Sequence, residues 1–261
     1  MKKLFPALCL FIIAMLSLSC STTTENVQTE ENPASEGFNY EGSDPEAIVI
    51  ADEVMKAMGG RQNWDATRHI AWNFFGSRDL VWDKWTGNVR IEVPRDTAVF
   101  LVNINTMEGR VSIRGTELTE TDTLNYWLNR AKSIWINDSY WLVMPYKLKD
   151  SGLTLNYLGK DTTQTGENAD VLALSFEAVG VTPQNRYKVW VDESSRLVSQ
   201  WAYYANPTDT VPGFILPWLD WQNYGSIKLS GDRGQRKLSN IRVYDELPES
   251  VYMLFDKVNL D

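Results

Sequence analysis

Beyond residue 20 the sequence contains no cysteine, and the whole chain contains one histidine, His69. A zinc site of cysteine and histidine ligands is therefore excluded, and so are nucleophile–histidine sets that need a second imidazole or a thiol. Disulfides cannot hold the folded part, so a large apolar core must do so. No glycine-rich phosphate loop is present: "GGRQNW" lacks both the lysine and the strand-loop-helix setting of one. Positive charge is scarce as well. Twenty-five lysines and arginines face 34 aspartates and glutamates, a formal net charge of −9. An acidic body has no basic stripe to displace counterions from phosphates, which argues against a nucleic-acid partner and against broad contact with anionic lipid. No spaced Asp-Asn-Asp calcium loop occurs, and "GKDTTQTGENAD" reads as a solvated hairpin tip. No repeat of 20–50 residues suggests a solenoid or propeller.

What is present begins at the N-terminus. Met1-Lys2-Lys3, the apolar run "LFPALCLFIIAML" and the small residues of "SLSC" form a secretory signal. The apolar run is shorter than the roughly 20 residues of a comfortable spanning helix. "LSLSC" resembles a bacterial lipobox, although Ser17 stands where leucine is usual; the alternative is an ordinary signal with a chance cysteine. The lipobox reading divides the chain into a signal peptide (1–19), a lipid anchor at Cys20 carrying palmitate-type acyl chains, a disordered polar tether (20–44) and one domain (45–261). Residues 21–44 are polar and acidic and cannot bury enough apolar area to order themselves. About 220 residues remain, enough for one cored domain.

Local patterns predict an α+β protein. "SDPEAIVIADEVMKAMGG" carries helix grammar, with Ser43 or Asp44 as cap, Pro45 in the first turn and Gly59-Gly60 at the end. A short helical turn over "RQNWDAT" follows, then alternating segments that predict antiparallel strands. A mid-chain helix interrupts them: Leu124, Trp127, Leu128, Ala131, Ile134 and Trp135 recur at helical spacing, with Thr121 or Asp122 as cap. Pro145 then predicts that Trp135–Tyr146 leaves the helix, with Lys147 and Lys149 on an extended exit. Roughly ten strands in one strongly curved antiparallel sheet, an open half-barrel plugged by the N-terminal and mid-chain helices, is the expected architecture.

Few residues suggest chemistry. His69 reads as a half-exposed residue at the head of a strand. Glu117, Glu120, Asp122 and Asp83 read as caps and solvated faces, although two facing carboxylates would suit a glycan hydrolase. The chain is therefore expected to be non-enzymatic, without cofactor or metal. Aromatic load is the unusual feature: all eleven tryptophans lie beyond residue 60. They either fill a wide core or leave a concavity for an apolar guest. In "NRYKVWVDE", Tyr187, Val189 and Val191 share one face and Trp190 the other. In "RLVSQWAYYA", Leu197, Trp201 and Tyr203 share one face, opposite Val198 and Tyr204. Large side chains on both faces imply a sheet covered on both sides or an outer contact surface.

The ordered segments "AMGGRQNWDATRHIAWNFFGSRDLVWDKWTGNVRIEV", "NDSYWLVMPYKLKDSGLTLNYLG" and "DVLALSFEAVGVTPQNRYKVWVD" resemble an uncharacterised family of bacterial lipoproteins. More distantly, the order of elements is similar to that of the Lol-type lipoprotein carriers, whose half-barrels hold acyl chains on the concave side. These resemblances imply a lipid-anchored protein of the bacterial cell envelope, at the outer membrane, reaching the membrane through Cys20 and binding a lipid or a lipoprotein acyl chain. Trp127, Trp135, Trp141, Met144 and Trp201 are the candidate ligand-binding residues. A structural or protein-interaction lipoprotein with a self-filled core is the alternative.

Overall fold

A computed structural model describes Met1, residues 31–177 and residues 184–260. The signal segment, Cys20 and the tether up to residue 30 lie outside the described residues. The packed body starts at residue 31, earlier than the sequence implies. Residues 31–44 are polar, but they spend their backbone groups on the domain. Ser35 N donates to Lys149 O (2.9 Å), Asn39 N to Leu153 O (3.1 Å) and Asp44 N to Leu155 O (2.9 Å). Phe38 is buried, and the Lys149 ammonium donates to Asn32 O (2.6 Å) and Asp52 (2.9 Å). Hydrogen bonds to distant backbone groups, with Phe38 in the core, order this stretch, which is why composition misses it.

Helix α1 (Pro45–Ala57) buries Ala47, Ile50, Ala51, Val54 and Met55. Gly59 follows at φ 116°, where a Cβ would meet Ser226 O at 2.3 Å, so only glycine fits. After α2 (Arg61–Ala66), the first strands are β1 (His69–Phe74), β2 (Arg78–Asp83), β3 (Asn88–Val93), β4 (Ala98–Asn103), β5 (Gly109–Ile113) and β6 (Thr116–Glu117). Helix α3 (Thr121–Val143) leads to β7 (Leu153–Thr162), β8 (Asn168–Phe176), β9 (Arg186–Asp192), β10 (Val198–Tyr204) and β11 (Phe214–Pro217). β12 (Leu219–Tyr224), β13 (Ile227–Arg233), β14 (Arg236–Tyr244) and a final turn, α4 (Ser250–Met253), complete the chain.

The fold is α+β with antiparallel strands, as expected. Among the described residues, fourteen strands rather than about ten form two sheets, a nine-stranded one ordered β12-β13-β14-β1-β2-β3-β4-β5-β6 and a five-stranded one ordered β11-β10-β9-β8-β7. Only Trp218 separates β11 from β12, so one extended stretch passes from the smaller sheet to the larger. Fully buried Trp218 turns this corner, its backbone N–H donating to Ser199 O (2.8 Å). The sheet is thus curved and unclosed, with register shifts in β1, β7 and β10 that bend the strands locally.

Helix α3 extends further than the proline suggests. Glu120, not Thr121 or Asp122, caps it, its carboxylate accepting from Asp122 N (3.0 Å) and Thr123 N (2.7 Å). The helix continues through Tyr140 and Trp141 to Val143, and Pro145 sits inside a 3-10 turn (Met144–Lys147), where its missing N–H costs nothing. Lys149 is a buried tie rather than part of an extended exit.

Tryptophan and lysine motifs of the sequence meet at one corner. Trp64 stacks on Tyr146 (4.1 Å between centroids), and the Lys84 ammonium lies 3.6 Å from the Trp64 ring centroid. Burial pushes the Lys84 ammonium down to about 8. The Tyr146 hydroxyl sits 2.9 Å from Met58 O and 2.8 Å from Lys228 O. This stack joins the end of α1, α2, the β2–β3 turn, the 3-10 turn and β13. It is architecture.

The convex face of the larger sheet is covered by the C-terminal segment. Arg90, buried, donates to the carbonyls of Val251 (3.1 Å), Leu254 (2.6 Å) and Asp256 (2.8 Å). Val251 packs on Ala71 and Val81. His69 is buried here rather than half-exposed, its Nδ1 2.8 Å from the Tyr252 hydroxyl, because the final turn closes over it.

Candidate functional site

Helix α3 has two differently used faces. Leu128, Ala131 and Leu142 are buried, with Trp127 and Trp135 beside them turned toward the larger sheet. Trp127 packs on Phe100 (5.9 Å between centroids) and Trp135 on Trp82 (5.2 Å). The adjoining face carries Arg130, Ser133, Ile134, Asn137, Tyr140 and Trp141, spaced by threes and fours, and faces the smaller sheet. The two surfaces touch through Tyr140 and Trp141, but elsewhere they do not close on each other. They leave a cavity of about 560 Å³.

Strand alternation builds the opposite wall. Tyr187 from β9, Trp201 and Tyr203 from β10, Phe176 at the end of β8 and Phe214 at the start of β11 all line it. Their rings order one another: Tyr187 stacks on Trp201 (7° between planes, 5.5 Å), Tyr203 on Phe214 (21°, 5.3 Å), and Trp141 stands edge-on to Trp201 (89°, 4.8 Å). Such contacts fix aromatic rings in place without filling the space between walls. The volume lies within the range of small-molecule sites, most of which are apolar with a few placed polar groups.

The polar groups lie along α3 and at the mouth. Asp138 is fully buried and receives Arg78 twice, Nε at 2.7 Å and Nη2 at 2.9 Å, plus the Asn137 amide at 2.9 Å. Burial raises the Asp138 carboxyl above its ordinary range, against the pull of Arg78 and Asn137. Burial also pushes the Tyr187 phenol up to about 12 and the Tyr140 phenol well above its usual value. Neither tyrosine ionises at neutral pH. Among the described residues, the buried Tyr140 hydroxyl and Trp201 Nε1 have no hydrogen-bond partner.

Behind the cavity wall, Arg233 holds the end of α3. It is fully buried, stacks 3.4 Å from the Trp218 ring centroid and donates to Trp141 O (2.8 Å) and Ser230 O (3.1 Å). Among the described residues it has no carboxylate partner. The negative end of the helix dipole and the tryptophan face stand in for one.

Of the residues expected from sequence, the structure brings Trp141 and Trp201 together at the cavity. Trp127 and Trp135 face the larger sheet, and Met144 is fully buried in the core. Sequence reasoning missed Arg78, Arg130, Asn137, Asp138, Tyr140, Phe176, Tyr187, Tyr203 and Phe214. The polar-aromatic stripe at 130, 133, 137 and 140–141 was the available signal, but such a stripe reads as a solvated face. The carboxylates once weighed for hydrolysis lie elsewhere. Glu117 pairs with Arg110 (2.7 Å), Glu120 caps α3, and Asp83 receives Arg68 (3.0 Å) and two turn N–H groups.

No family model and no curated protein matches the chain. Solved structures do. A DUF1329 family protein from Desulfovibrio piger aligns at 13% identity and a TM-score of 0.46, covering 81% of this chain and 98% of that one. A candidate outer membrane lipoprotein-sorting protein domain from Vibrio parahaemolyticus aligns at 9% and 0.40, covering 79% and 96%. A LolA superfamily protein from Nitrosomonas europaea aligns at 10% and 0.39, covering 79% and 97%.

Proposed function

We propose that this protein is a non-enzymatic lipoprotein of the bacterial cell envelope, held at the outer membrane by a lipidated Cys20, that binds or carries a hydrophobic ligand in the cavity between α3 and the smaller sheet. The observation that carries this reading is the unfilled 560 Å³ between two ordered aromatic walls. Cores pack densely and leave few voids larger than a water. Seven rings with open space between them therefore suit a guest better than a core. The driving force is transfer of apolar surface out of water, about 25 cal/mol per Å² before the costs of association. No proton transfer or bond cleavage is required.

The test fills the cavity. Ser133 lines it, is half-buried and bonds only its own helix, at Asn129 O (3.0 Å). Ser133→Trp should abolish uptake of a fluorescent fatty acid while leaving unfolding stability within about 1 kcal/mol, because no core contact is removed. Equal uptake by both proteins would refute the site. The anchor is tested separately. Cys20→Ala should leave the chain unprocessed or free of the membrane, and normal processing with unchanged membrane fractionation would refute lipidation.

A further inference from the structure

The polar lining of this cavity specifies the head of its ligand, an inference that rests on the reading just given. Asp138 is the one carboxylate among the described lining residues, and both its oxygens are occupied by Arg78 and Asn137. Arg78 spends Nε and Nη2 on it, and Nη1 has no partner among the described residues. Arg130 is exposed on the same wall and makes no hydrogen bond or ion pair among the described residues, yet lies close enough to favour the charge of Asp138. Among the described residues the Tyr140 hydroxyl and Trp201 Nε1 have no hydrogen-bond partner, but both atoms are sealed from solvent and so from the head of a ligand. Ser133 is satisfied by its own helix. The lining therefore offers spare donors from two guanidinium groups, Arg78 and Arg130, and no spare carboxylate oxygen.

Charge agrees with this tally. Two guanidinium groups against one carboxylate give the lining one net positive charge, on a protein whose overall charge is −9. A quaternary ammonium head would suit the rings, but it would meet the guanidiniums. A neutral hydroxyl head would leave the net positive charge of the lining uncompensated. An oxyanion accepts from several donors at once and cancels the local charge.

We infer that the cavity takes an amphiphile with one anionic, acceptor-only head, a carboxylate or a phosphate, set between Arg78 and Arg130, with its apolar body along the aromatic walls. The head sits beside Arg130, which is exposed, and the chain lies along the aromatic walls.

The experiment uses the full chain in nanodiscs of neutral lipid, exposed to four probes that share one diazirine-bearing alkyl chain. Their heads are a carboxylate, a lysophosphatidate, an alcohol and a trimethylammonium. Peptide mass spectrometry locates the crosslinks. At least one anionic probe should label α3 and β10 at least about tenfold more than the alcohol, as a charge-assisted hydrogen bond warrants. Which anion labels identifies the source, free fatty acid or phospholipid. Arg130→Gln should bring anionic labelling down toward that of the alcohol and leave alcohol labelling unchanged. Alcohol or trimethylammonium labelling equal to that of the anions would overturn the anionic head while leaving the hydrophobic site standing. No cavity labelling by any probe would remove both.

Discussion

Replacing Arg78 with methionine separates the pairing of α3 from its apolar packing. Methionine keeps much of the aliphatic length and deletes the charge. The Asp138 carboxylate, 0% exposed, then retains only the Asn137 amide as a side-chain donor. Breaking a buried ion pair costs about 3–5 kcal/mol. Here the Arg78 side chain is 25% exposed, so part of its attraction is already screened, and about 2–4 kcal/mol at pH 7 is expected. The pH dependence follows from Asp138. Burial already holds its carboxyl above the ordinary 3.8, and loss of Arg78 lifts it further. An acid with a raised folded value binds more protons when folded than when unfolded, so stability falls as pH rises from about 3.8 through the folded value. The difference between variant and wild type should therefore be small near pH 4 and largest at pH 7. Urea unfolding at both pH values, with unchanged m, measures it. The double variant Arg78→Met/Asp138→Leu removes the stranded charge and should recover most of the loss. A loss below about 0.5 kcal/mol at pH 7, or one equal at both pH values, would refute the reasoning.

Two further outcomes follow from buried cations and a buried imidazole. His69 is the only histidine, and burial lowers its pKa. The unfolded chain then takes up a proton that the folded one resists, so stability is fully present above about 6.5 and falls as pH drops below it. One imidazole resonance in NMR should titrate below 6.5, and a midpoint above 6.5 would contradict the buried neutral ring. Arg233→Met strands the carbonyls of Trp141 and Ser230, which should cost about 1–3 kcal/mol despite relieving a buried cation. It should also speed amide exchange near Val143; a more stable variant with unchanged exchange would show that the contact does not hold α3.

Much of the fold was legible because it is local. The α1 grammar, the Trp127–Trp135 stripe and the alternation of Tyr187 against Trp190 depend on periods of 3.6 and 2 that a sequence carries directly. Tyr187 indeed faces the cavity wall and Trp190 the opposite cluster with Ala202 and Tyr204. Val198 failed this rule because a register shift between Val198 and Gln200 returns it to the core beside Trp201. The packing of residues 31–44 was illegible for another reason: its partners, Lys149, Leu153 and Leu155, are more than 100 residues away. So was the cavity. Arg78 and Asp138 are separated by 60 residues, and nothing near either one announces the other. The tryptophan and lysine motifs, conspicuous in sequence, meet in a structural stack away from it.

The most direct measurement is native mass spectrometry of the full chain and of Ser133→Trp, both released gently from the membrane. The account predicts that wild type carries a bound amphiphile as a discrete added mass that the variant lacks. Two ligand-free chains, or the same mass retained equally on both, would contradict it.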